Sequence, residues 1–191
     1  MNKQGVFRIV VLAVLSTAFG GCSTYNKLFP KIEAETKYQP LGEHSAIKSL
    51  SGEGTVTYVC TADDKGTFYK FENMSVQLYS SSNFLLAEIL GPDQTLIYKD
   101  GSRAEKLIPL RWGDSEAIDN EFSMPDILFG VSDFKAKKGS EIEGMKYITR
   151  YRTVGGIPQI PCSQDQAGKT YSVPFQAKYL FWEPLHKRWV M

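Results

Sequence analysis

The chain has only two histidines and three cysteines, and its formal net charge of +1 leaves no excess of either sign. Each shortage removes a class of function. His44 and His186 stand in no metal-ligand spacing and beside no G-x-S-x-G nucleophile elbow, so neither metal nor acyl-transfer catalysis has visible residues and no cofactor is implied. Near-neutrality offers no basic patch to neutralise phosphates, which argues against a nucleic-acid partner. Internal repeats and low-complexity tracts are absent. The one long apolar run near the N-terminus, "IVVLAVLSTAF" over residues 9–19, falls short of the roughly 20 residues a helix needs to cross a bilayer core.

What is present begins with that run. A basic start, "MNKQGVFR", precedes it and small residues follow, which is the layout of a secretory signal removed after export. The closing "FGGC" resembles the lipobox of bacterial lipoproteins, with Gly20 and Gly21 at its small-residue positions and Phe19 in place of the usual leucine. The resemblance implies cleavage after residue 21 and acylation of Cys22, which anchors the protein in a membrane. In that family, as it occurs in enteric-type bacteria, a serine after the cysteine, here Ser23, directs the protein to the outer membrane. Loss of Lys3 and Arg8 with residues 1–21 takes the formal charge from +1 to −1. An ordinary secretory signal that leaves Cys22 as a free thiol is the alternative.

Once Cys22 carries lipid, an even pair remains, Cys60 and Cys162. An oxidising envelope compartment lets them bridge, and a closed loop of about 100 residues is worth up to roughly 4–5 kcal/mol in the chain-entropy account. Two separate buried thiols are the other possibility. The segment after Cys22 is polar and broken by Pro30 and Pro40. Three regions follow: a signal over 1–21, a lipidated cysteine and tether over 22–45, and one β-rich periplasmic domain over 46–191.

Past Gly52 the apolar period becomes two, the mark of strands with one buried face. Val56, Tyr58 and Cys60 share a face, as do Met74, Val76 and Leu78, and near the C-terminus Tyr171, Val173, Phe175, Ala177, Tyr179 and Phe181. Pro174 interrupts that last strand and predicts an edge or a bulge there, because it has no ladder donor. "SSSN", "GPDQ" and "DGSR" divide the middle into a meander. "FLLAEIL" is apolar on both faces and asks for cover on both. "MPDILFG" reads as a short helix, with Pro125 in its first turn and Gly130 as its stop. The expected fold is mainly β, a curved antiparallel sheet or half-open barrel with one or two short helices.

The order "SLSGEGTVTY", "VQLYSSSNFLLAEILGPDQTLIYKDGS", "FSMPDILFG" resembles the lipoprotein-carrier family of the Lol pathway over about eighty positions. That resemblance implies an incompletely closed sheet with helices across its mouth and a cavity for acyl chains. Phe84, Leu86, Ile89, Tyr98 and Leu128 would line the cavity, with "MPDILFG" as its lid. The arginine-proline element of the soluble carriers and the exposed-leucine loop of the membrane-bound acceptors are not evident.

Asp63 and Asp64 read as a charged turn, since a calcium loop needs more widely spaced oxygens. Asp114, Glu116, Asp119 and Glu121 read as a solvated run, and the tryptophans and tyrosines chiefly as packing. "GGIPQIPCSQDQ" has the composition of an extended, proline-fixed loop. Two non-enzymatic functions remain. The domain either binds an apolar ligand or lipid inside a curved sheet, or it presents a β domain to an envelope protein partner. In the first case Leu86, Ile89 and Tyr98 line a cavity; in the second they are packed solid and an apolar patch is exposed elsewhere.

Overall fold

The computed structural model describes residues 36–114 and 121–185. Eight antiparallel strands follow one another around a closed barrel: β1 (His44–Asp63), β2 (Gly66–Tyr79), β3 (Leu85–Leu90), β4 (Thr95–Tyr98), β5 (Arg103–Gly113), β6 (Asp126–Lys135), β7 (Tyr147–Gly155) and β8 (Thr170–Pro184). The mainly-β, curved antiparallel sheet follows the period-two alternation. It is closed rather than half-open, because β8 pairs with β1 from His44↔Pro184 to Val59↔Thr170. Closure gives each of these long strands a partner on both sides over part of its length, Ser51–Val59 in β1 and Phe175–Trp182 in β8, and so hides edges that would otherwise be exposed. The stretch before Gly52, from His44, belongs to β1.

"MPDILFG" is not a helix. Ile127, Phe129 and Val131 of β6 alternate at period two and pack on the core, and Pro125 precedes the strand, where a missing N–H is harmless. Gly130 sits within β6 because Leu110 of β5 occupies the space a side chain would take, 3.3 Å from its Cβ position. The helical element among the described residues is a single 3-10 turn, Gln164–Gln166.

One apolar cluster fills the barrel, with side chains from every strand: Leu50, Met74, Ile89, Leu96, Leu107, Phe129, Ile148 and Tyr179 among them. Gly52 is bare because Tyr179 fills that space, its ring 2.5 Å from where a Cβ would stand. Beneath the barrel the β6–β7 connection turns Ile142 and Met145 into the same cluster. Glu141 fastens this plug: it forms an ion pair with Lys48 of β1, accepts from the Tyr98 hydroxyl of β4 at 2.7 Å and pairs with Lys99 at 3.3 Å.

Residues 36–40, expected to belong to the tether, lie against the barrel. Thr36 and Tyr38 are buried on the outside of the barrel, where Thr149 donates to the Tyr38 carbonyl at 2.6 Å and Arg111 donates to the carbonyls of Lys37 and Gln39. Tyr147, Tyr151, Leu180 and Trp182 form a second apolar layer on this wall. A chain that begins at Ile32, the start of the compact unit Ile32–Met191, therefore keeps every contact of the described residues, with both Cys60 and Cys162.

Candidate functional site: a groove where β7 leaves the barrel

The five residues expected to line a cavity do not meet in one. Leu86, Ile89 and Tyr98 are packed in the filled core. Phe84 lies in the β2–β3 turn and is 69% exposed. Leu128 is buried on the outer wall, paired with Arg111 and Thr149, both of which hold the 36–40 segment. Period two explains the difference: in "DILFGV" the inward residues are Ile127, Phe129 and Val131, so Leu128 faces out. "FLLAEIL" is likewise covered on one side only. Ala87 and Ile89 face the core, while Leu85 is 46% exposed, and a bulge opposite Leu78 and Tyr79 brings Leu86 inward as an extra residue.

Cys60 and Cys162 are joined as a disulfide, and the loop after β7 is pinned to the first strand. Further bonds spread it over the upper barrel. The Tyr58 hydroxyl donates to the Gly156 carbonyl (2.8 Å), Tyr69 to that of Ile160 (2.6 Å) and Thr67 to that of Cys162 (2.8 Å). Tyr69 stands edge-on to Tyr58 and Tyr171. Burial raises the Tyr58 pKa, opposed by the positive charge of Arg150.

The loop starts at a break in the ladder. β7 keeps register with β8 to Tyr151, bulges at Arg152 with φ 49, and pairs again only at Val154 and Gly155. Gly155 and Gly156 then take φ of 72 and 87. A Cβ on Gly156 would stand 2.8 Å from both Met124 and Phe175, so only glycine makes this turn. Beyond it, Tyr171–Val173 of β8 pair with β1 alone, and the last main-chain bond on the other side runs from the Gly156 N–H to the Pro174 carbonyl. Pro174 thus sits at a local strand edge, as its missing donor predicts.

A groove of about 850 Å³ opens there, bounded by Val154, Phe122, the 157–160 loop and the β8 residues 171–176. Its size lies within the roughly 300–1,000 Å³ of small-ligand sites. The register sets Gln77, Glu53, Gln176 and Val154 side by side across four strands of its floor. Among the described residues Glu53 is its one charged lining group. Val154 and Ile160 are 48% and 58% exposed. A second depression continues past Glu53 and Gln176 toward Arg152 and Lys178. Amide and carboxylate groups on an apolar-walled groove can hydrogen-bond a ligand and choose its charge.

Behind the groove, inside the barrel, lies a charge that the sequence reading missed. Arg150 is fully enclosed, its Nη2 donating to the Pro125 carbonyl at 3.0 Å and its guanidinium lying against Phe129 and Phe175. Burial lowers its pKa, against the raising effects of Tyr179, Tyr58 and the buried Asp126. The signal was the position of Arg150 two residues after inward-facing Ile148 in "YITRYRTV".

The family DUF3455, described as a protein of unknown function, matches residues 116–183. That span takes in β6, β7, the Cys162 loop and nearly all of β8, and so one wall of the groove together with Asp126 and Arg150. No curated protein and no solved structure matches the chain.

Of the remaining expected features, Asp63 accepts from the Lys65 N–H in the β1–β2 turn, and His44 packs edge-on against Tyr147. Trp182 is buried, its indole N–H bonded to Thr149. Cys22, Glu116, Asp119 and His186 lie outside the described residues.

Proposed function

We propose that this is an outer-membrane lipoprotein, anchored through Cys22, whose barrel is a non-catalytic platform that offers its outer wall to an envelope protein partner. The anchor rests on the "FGGC" signal and Ser23. The platform reading rests on one observation: Leu86, Ile89 and Tyr98 are part of a core filled from all eight strands and plugged by Ile142 and Met145. A carrier of acyl chains needs that volume empty. The outer wall supplies the complementary feature, apolar side chains left exposed around a groove.

Fluorescent fatty-acid binding and denaturant unfolding of the chain from Ile32 onward, wild type and Leu86→Ala, separate the two functions. A platform gives no saturable uptake and a loss of about 2–5 kcal/mol in the variant through cavity creation. Saturable uptake that falls in Leu86→Ala with little loss of stability would restore the lipid-carrier reading.

A further inference from the structure

We propose that the groove takes an extended polypeptide segment, which adds as a strand to the open edge of β8 at Thr170–Ser172 and sets a basic side chain against Glu53. The inference rests on the partner-docking reading above and names the form the partner takes there.

The edge itself carries the argument. The Gly156 N–H donates to the Pro174 carbonyl at 2.9 Å, so the main-chain groups of Pro174 face away from β1 and toward the side that β7 has left. In an antiparallel strand the groups of residues two apart point the same way. The N–H and C=O of Ser172 therefore face the groove, and they have no main-chain partner among the described residues. An acyl chain seated here would bury those groups unpaired, at a cost in free energy. A strand seated here would satisfy them, which is how extended peptides add to sheet edges. Pro174 has no N–H and ends the pairing on one side, which fixes register and restrains indiscriminate edge pairing. Ile157 and Ile160 form the facing wall, and alternate side chains of an added strand would point to it and to the floor. The floor's single carboxylate, Glu53, selects a neutral or cationic segment over an acidic one.

Phage-displayed random peptides, selected on the chain from Ile32 onward, provide the probe. Enriched peptides should alternate apolar residues and carry a lysine or arginine, and a synthetic copy should protect the Ser172 amide from hydrogen exchange. Ser172→Pro removes the groove-facing donor without touching the β1 ladder, and should weaken that peptide about tenfold, as expected for one lost main-chain hydrogen bond. The Cys60–Cys162 bridge and the denaturant midpoint report whether this variant is folded. If it is not, Glu53→Lys takes its place and should turn the selection from basic to acidic peptides. Exchange at Ser172 unchanged by bound peptide, or no enrichment over the Ser172→Pro bait, overturns strand addition while leaving a protein partner on another face. Displacement of the peptide by a saturably bound fatty acid overturns both this inference and the platform reading.

Discussion

Arg150 lies across the ring of Phe175, its guanidinium carbon 5.4 Å from the ring centre, and against Phe129 as well, enclosed within the barrel. The buried Asp126 is close enough for its charge to raise the Arg150 pKa, so removal of the cation leaves a void and takes away that favourable interaction. Arg150→Ala should cost about 3–5 kcal/mol. Arg150→Met combined with Asp126→Asn, which removes both charges and keeps volume, should cost clearly less. Urea unfolding of the three proteins makes the comparison.

Cys22→Ser should abolish membrane attachment and block maturation at this site, since several acyl chains at one residue exceed the two signals that stable anchoring requires. Fractionation after a high-salt wash checks this, and a variant that stays with the membranes refutes the lipoprotein reading.

The Cys60–Cys162 bridge spans 102 residues. Nonreducing peptide mapping of exported protein should recover the linked pair. Cys60→Ser should cost up to about 4–5 kcal/mol and speed amide exchange in the 157–163 loop, because this bond ties that loop to β1.

Stability should fall at both ends of the pH scale for separable reasons. Hydrogen bonding from Lys48 and then Tyr98 holds the Glu141 pKa at about 2, below its ordinary 4.5. Its contribution is complete above pH 4.5 and is lost as pH falls from there through 2. Burial pushes Tyr179 up from 10 to about 12, so its contribution is complete below pH 10 and is lost between 10 and 12. Denaturant midpoints across pH should show both limbs, and Glu141→Gln should make the acid one shallower.

Much of the barrel was legible because its strands obey one rule. Met74, Val76 and Leu78 alternate with polar neighbours, and so do Phe175, Ala177 and Tyr179; all six are buried. "MPDILFG" was misread because Pro and Gly mark helix ends and strand positions alike, and only pairing with β5 and β7 decides between them. Leu128 was misassigned for a related reason: composition tells that a residue is buried, but not whether a lumen or an outer layer buries it. Pro174 was read well, since a missing donor is a local property. The row of Gln77, Glu53 and Gln176 joins the first hairpin to the last strand, about a hundred residues on, and no spacing along the chain announces it.

Pairing of the first strand with the last has a consequence for how the chain is made. β1 is complete once residue 63 has been synthesised, yet its β8 partner begins only at Thr170. For more than half of the chain's production this 20-residue strand has β2 on one flank and nothing on the other. Contacts of such high sequence separation form late, and an unpaired strand meanwhile is a template for aggregation. A chain truncated before β8 should therefore be unable to finish folding and should depend on a holding chaperone, even though it contains seven of the eight strands.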